Sequence, residues 1–183
     1  MQKVIRKFKS FEEADEAERR DYAALSTQQR IDITMELVSW MDPTAWRPLG
    51  ATLAILKQTN SPFLVIGGYA YGAHGICRYT PDLDIWLEQD DAQIACILGQ
   101  VELVVCESER IGDRSYVIGK EPARFHIHTE VTGLAFETAL KNSESALLYG
   151  ESIRILSRSD LVSNKRTLRR LVDLADLEAL GEK

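Results

Sequence analysis

Polar stretches open the chain, each headed by a helix-start signal. In Ser10-Phe-Glu-Glu13 and Ser26-Thr-Gln-Gln29, a serine and the acid or amide three residues on can exchange hydrogen bonds with the backbone at a helix N-terminus. The second pattern predicts a helix through Ile31, Ile33, Leu37 and Val38 to about Met41, where Asp42-Pro43 breaks it. A further helix is predicted over Leu49 to Lys57, ended by Asn60-Ser-Pro62. The short apolar run Phe63 to Ile66, bounded by Pro and Gly, reads as a buried strand. Gly67-Gly68 ends it, and Tyr69 to His74 suits a short helix stopped by Gly75. Asp82 to Glu88 begins as an alternation of acid and apolar residues and reads as a second strand.

A helix over Asp90 to Leu98 and strands over Val101 to Cys106, Ser115 to Gly119 and Arg124 to Val131 follow. Next come a helix from about Ala135 to Asn142, a strand at Ser152 to Leu156, and one long helix from Arg158. In that last helix Leu161, Leu168, Val172, Ala175 and Ala179 share a face. The pattern is α/β (α+β): a mixed β-sheet flanked by helices, with a long C-terminal helix. Residues 1–45 read as an N-terminal helical extension that packs on the main domain or on a partner, and residues 46–183 as the main domain.

Composition changes this picture little. Of 183 residues, 45% are hydrophobic and 27% charged, an ordinary globular balance. There is no apolar run of the roughly 18 residues that a membrane span needs, and no secretory signal, so a cytoplasmic protein is expected. Cys77, Cys96 and Cys106 are widely spaced and read as reduced core thiols. The net charge of −6 argues against broad coating of nucleic acid. One local basic run spans Arg154, Arg158, Lys165, Arg166, Arg169 and Arg170; it either contacts RNA phosphates or is a helix face balanced by Asp173 and Asp176, the favoured reading. In that reading Arg169 is placed for an i,i+4 pair with Asp173.

The chemistry concentrates where a strand, Gly67-Gly68, a short helix and Asp82-x-Asp84 follow one another. Paired glycines let a backbone approach a ligand, and a helix N-terminus offers unpaired N–H groups to phosphate oxygens. Asp82 and Asp84 point to one face of a strand, where their repulsion calls for a divalent cation such as magnesium. His74 reads as structural, and Trp40, Trp46 and Trp86 as core or interface anchors, with Trp86 also on the face of Asp84.

The segment FLVIGGYAYGAHGICRYTPDLDIWL resembles the signature of minimal nucleotidyltransferases of the DNA polymerase β superfamily, and is closest to the AbiEii-type toxin–antitoxin group. Arg78 and Thr80 fall on that family's Arg-x-Thr; Pro122-Ala-Arg124, Thr129 and Gly133 continue the likeness. Lys165, Arg170, Asp173 and Asp176 match its final helix, so the resemblance spans about residues 60–180. It implies transfer of a nucleotide from a nucleoside triphosphate to an acceptor hydroxyl on a small molecule, a protein or a tRNA, with Mg2+ or Mn2+. Asp82 and Asp84 would then hold metal, Gly67 and Gly68 would cradle the triphosphate, and Lys165 would neutralise phosphate charge.

One departure bears on catalysis. Where the family places a third metal-binding carboxylate, this chain has His126, within Arg124-Phe-His-Ile-His-Thr129. Imidazole brings no negative charge, and magnesium prefers oxygen. Three readings follow: a repurposed ligand set in which His126, His128 and Glu130 join Asp82 or Asp84 around zinc, manganese or nickel; a domain that binds nucleotide without transferring it; or transfer by the Asp pair with help from Glu130. The expected function is nucleotidyl transfer of reduced or altered activity. The alternative is a catalytically degenerate module that binds nucleotide or a protein partner.

Overall fold

The computed structural model describes residues 6–182, apart from 42, 45, 76, 89, 90, 106, 107, 112–114 and 120–123. Helices α1 (Phe11–Ala23), α2 (Thr27–Met41) and α3 (Trp46–Gln58) precede strand β1 (Phe63–Val65), helix α4 (Gly67–His74), strand β2 (Asp82–Leu87) and helix α5 (Asp91–Val105). Strands β3 (Ser108–Ile111), β4 (Ser115–Ile118) and β5 (Arg124–His128), helix α6 (Phe136–Asn142), strands β6 (Glu144–Leu148) and β7 (Glu151–Ile155), and helices α7 (Arg158–Leu168) and α8 (Leu171–Ala179) complete the chain.

Both N-terminal helix starts form as their patterns dictate. Ser10 Oγ accepts from Glu13 N, while the Glu13 carboxylate reaches past Ser10 to Lys9 N. Ser26 and Gln29 close the reciprocal box, Ser26 N donating to Gln29 Oε1 at 2.8 Å and Gln29 N to Ser26 Oγ at 3.2 Å.

The seven strands lie in the order β3-β4-β5-β2-β1-β7-β6. The sheet is mixed: β2 is parallel to β5 and β1 to β7, and the other pairs are antiparallel. Helix α2 packs on α4 and β6, and its Ile31, Met35 and Val38 join the same buried cluster as Leu64, Ile85 and Phe125 of the sheet. The α2–α4 approach is close enough that a Cβ on Gly72 would stand 2.5 Å from Thr34 Oγ1. Helix α3 packs on α5.

Three expectations need correction. Val101 to Val105 is the last part of α5 and not a strand, because Ile94, Ile97 and Val101 continue one buried helical stripe; Cys106 lies outside the described residues. The C-terminal helix is two helices. Arg169 adopts φ 54°, and α8 restarts with the Asp173 carboxylate accepting from Arg170 N at 3.1 Å and Arg170 Nε at 2.7 Å. Cys96 is exposed on α5, whereas Cys77 is buried as expected. The sequence reading also has no counterpart of β6, which pairs with β7 through Tyr149-Gly150, both at positive φ as a two-residue hairpin turn requires.

Candidate functional site

Strand β1 ends at Val65, and the backbone turns through Ile66 into α4, with Gly67 at φ 59°. Ile66 N donates to Asp84 O, which ties this turn to β2. The consequence is unusual closeness: a Cβ on Gly67 would lie 2.6 Å from Asp84 Cγ and 2.9 Å from Asp84 Cβ. A glycine is therefore required for two reasons, the left-handed backbone and the carboxylate lying against it. Gly68 has a different neighbour, because its Cβ would come within 2.8 Å of Thr80 Cβ. The Gly-Gly pair is thus fitted to Asp84 and Thr80, one glycine to each.

In the parallel β2–β5 ladder Asp82 sits beside Arg124, Asp84 beside His126, and Trp86 beside His128. Neighbours in a ladder share a face, so Asp84, His126 and His128 converge. His126 Nδ1 stands 3.5 Å and His128 Nε2 3.0 Å from Asp84 Oδ1, and His128 Nδ1 is 3.3 Å from Ser115 Oγ. One ligand atom from each of Asp84, His126 and His128 lies within 4.8 Å of the others, which makes the trio a candidate metal centre. Burial acts to raise the Asp84 pKa, but hydrogen bonds and charge from the two imidazoles outweigh it and hold the carboxyl at about 2. The reciprocal bond from Asp84 raises His126, against the opposing effect of burial.

Asp82 is placed differently from its neighbour. Both its oxygens accept from Arg124, Nε at 2.6 Å and Nη2 at 2.8 Å, in a bidentate pair. Asp82 and Asp84 share a strand face, yet their carboxylates serve different partners. Glu130 lies at the rim of the same cleft and is exposed.

The cleft measures about 390 Å³ and runs from Gly67, Gly68, Asp84, His126 and His128 to the α7–α8 corner. Lys165 lines it, but as a buried cation: Nζ lies 2.6 Å from Asp176 and 3.5 Å from Asp173. It is thus neither a solvated helix-face lysine nor an unpaired one. Arg78 pairs with Asp176 at 3.1 Å and lies 4.7 Å from the centre of the Tyr71 ring. Arg170, and not Arg169, pairs with Asp173. Elsewhere in the basic run Arg154 bonds Ser143 and Ser145, and Arg158 and Arg166 share Glu182, so each of these side chains has a partner within the chain.

Of the remaining aromatic and histidine candidates, His74 and Trp86 take buried places in the fold that the sequence did not specify. His74 Nε2 donates to Leu156 O at 2.7 Å, across the fold and not to its own helix end. Trp86 is buried edge-on against Phe136 with ring centres 5.1 Å apart, whereas Trp40 is largely exposed; the Trp46 side chain lies outside the described residues. Sequence reasoning missed the Asp82–Arg124 pair and the Lys165 ion cluster. The parallel register of β2 and β5 would have shown the first, but that pairing joins residues 42 apart.

No protein-family model matches the sequence, and no curated protein matches it. Among solved structures the fold matches the lincosamide antibiotic adenylyltransferase LnuA, determined with lincomycin bound. The TM-score is 0.51 at 12% identity, over 74% of this chain and 95% of that one. Weaker likenesses, on which nothing rests, are a candidate nucleotidyltransferase from Thermotoga maritima and the Megavirus polyadenylate synthase. The first has TM-score 0.49 and 15% identity over 75% of this chain and 92% of that one; the second has 0.47 and 12% over 98% and 39%. The chain therefore has a nucleotidyltransferase fold, and among the described residues no helix is long and apolar enough to cross a membrane.

Proposed function

We propose that the chain binds a nucleoside triphosphate in this cleft and transfers its nucleotidyl group to an acceptor hydroxyl, the new ester bond replacing the α–β phosphoanhydride bond as pyrophosphate and the hydroxyl proton leave. The observation that carries the reading is the packing of the Asp84 carboxylate against Gly67 at the start of α4, on a nucleotidyltransferase fold. The first N–H groups of α4 have no partners within the helix and suit phosphate oxygens. Gly67 and Gly68 bring the backbone to the phosphates, Asp84 and His126 hold a divalent ion, and His128 joins them. Such an ion, when bound, screens phosphate charge and polarises the reacting phosphoryl group. Asp82, gripped by Arg124, orients the strand that carries Asp84. Lys165 acts through the Asp173–Asp176 cluster that fixes the far wall.

Charge in the cleft supports a metal requirement. The charged lining residues are Arg78, Lys165 and Arg170 against Asp84, Glu130, Asp173 and Asp176, three cations and four anions, with His126, whose pKa Asp84 raises, beside them. Each cation there already faces an anion of the protein, so the charge of a triphosphate is left for an accompanying cation to neutralise. Calorimetric titration with each nucleoside triphosphate, with divalent metal and with chelator, tests the reading. Metal-dependent binding that Asp84→Asn abolishes is the expected result, and equal binding by that variant refutes it.

The second reading, a degenerate module in the manner of AbiEii-type toxin–antitoxin proteins, draws support from two features. Both Asp82 oxygens are engaged, and α8 exposes Leu171, Val172 and Leu174 to a partner. Nucleotide binding without transfer to any small-molecule, protein or tRNA acceptor would favour it; transfer to any of them would end it.

A further inference from the structure

The geometry points to a site for one transition-metal ion, zinc or cobalt in type, held by Asp84, His126 and His128, in place of the magnesium pair that the family resemblance implies. What the ion does rests on the nucleotide reading; whether it binds does not.

Three observations carry this. The first is spacing. Ligand atoms about 2.0–2.1 Å from a tetrahedral ion stand roughly 3.3 Å from one another. Asp84 Oδ1 is 3.0 Å from His128 Nε2 and 3.5 Å from His126 Nδ1, and all three ligand atoms lie within 4.8 Å of one another, so the imidazoles need to close by at most about 1.5 Å to share an ion.

The second is chemistry. Two imidazole nitrogens and one carboxylate oxygen form a donor set for zinc, cobalt or iron(II), whereas magnesium takes oxygens in an octahedron and keeps several waters. A two-magnesium arrangement also needs carboxylates on both ions. Here Asp82 has both oxygens on Arg124, and the position beside Asp84 in the ladder is His126.

The third is support around the ligands. Metal-binding imidazoles are usually held by a hydrogen bond at their other nitrogen. His128 has one: with Nε2 on an ion, its Nδ1 proton faces Ser115 Oγ, 3.3 Å away. The backbone of Gly67 lies against the other end of the Asp84 carboxylate and limits its rotation. All three ligands line the cleft, and three protein ligands leave coordination positions open toward it.

The test is titration of the chelator-stripped full chain with cobalt(II), followed by visible d–d absorption. One cobalt per chain is expected, displaced by equimolar zinc and retained against about a hundredfold excess of magnesium. His126→Asn and His128→Gln should each weaken binding at least about tenfold, with folding verified by circular dichroism. In the unmutated chain, large contact shifts of the imidazole N–H signals of His126 and His128, with none at His74, give the same answer without a variant. Absent absorption, thiolate-to-cobalt charge transfer marking the cysteines, or displacement by equimolar magnesium each overturns the site. Magnesium-dependent nucleotide binding without cobalt binding would leave the nucleotide reading standing and remove this one. Cobalt binding with no nucleotide bound would do the reverse.

Discussion

Replacing Gly67 with alanine should cost far more than the backbone strain of its left-handed conformation, and the excess should vanish when Asp84 is also truncated. At φ 59° an alanine costs about 1–2 kcal/mol. Its Cβ would also lie 2.6 Å from Asp84 Cγ, so the carboxylate must swing away and lose its hydrogen bonds to His126 and His128. Hydrogen bonds to a charged group contribute about 1.5–3 kcal/mol. With the two bonds, which share one carboxylate oxygen, counted as a single such contribution, the total for Gly67→Ala is about 2.5–5 kcal/mol. Gly150→Ala isolates the backbone part, because Gly150 sits at φ 85° with nothing within 4 Å of its added Cβ, and should cost about 1–2 kcal/mol. In an Asp84→Gly background the carboxylate and the Cβ that would crowd the new methyl are all gone. There Gly67→Ala should cost little more than Gly150→Ala, a coupling of about 2 kcal/mol. Urea unfolding of the four chains of the cycle, in chelator and followed by circular dichroism, measures it. A coupling below about 0.5 kcal/mol, or a Gly67→Ala as mild as Gly150→Ala, would refute the argument that this glycine exists to seat Asp84.

Other outcomes follow from the same geometry. Lys165→Met should destabilise the fold by about 3 kcal/mol, at the lower end for a broken buried pair because Arg78 and Arg170 still hold Asp176 and Asp173; the shift in urea midpoint reads it. Asp82→Asn should cost about 1–2 kcal/mol by weakening the bidentate pair, and Arg124→Gln should add little on top, as a double-mutant cycle would show. His74 sets a pH dependence. Burial lowers its pKa, outweighing the opposing hydrogen bond to Leu156 O and the charge of Glu144, so between the folded value and 6.5 the unfolded chain binds more protons. The stability due to neutral His74 is thus complete above about pH 6.5 and is lost as pH falls through the folded value. His74→Gln should flatten urea stability between pH 5 and 7, and an unchanged slope would contradict this assignment.

What the sequence determined is whatever short-range chemistry decides. The two serine-headed boxes start α1 and α2 because their hydrogen bonds close within three or four residues. Proline, paired glycines and an acid–apolar alternation mark out β1, α4 and β2, and so bring Gly67, Gly68, Asp82 and Asp84 to one corner. The family resemblance placed His126 beside that corner, and the β2–β5 register puts it next to Asp84.

What only the tertiary structure decided is how charges and faces were matched across long separations. Val101 to Val105 fits a strand or a helix by composition, and the buried stripe from Ile94 selects helix. Nothing in Thr167-Leu-Arg-Arg170 breaks a helix, and Arg169 turns left-handed where Asp173 caps α8 and Lys165 meets Asp173 and Asp176. Asp82 and Asp84 are alike in sequence, two residues apart on one strand. One faces an arginine and the other two histidines because a parallel ladder pairs each with a different residue of β5. A side chain's charge is written in the sequence, but the partner that compensates it is set by register, and register is fixed only when the sheet closes over its core.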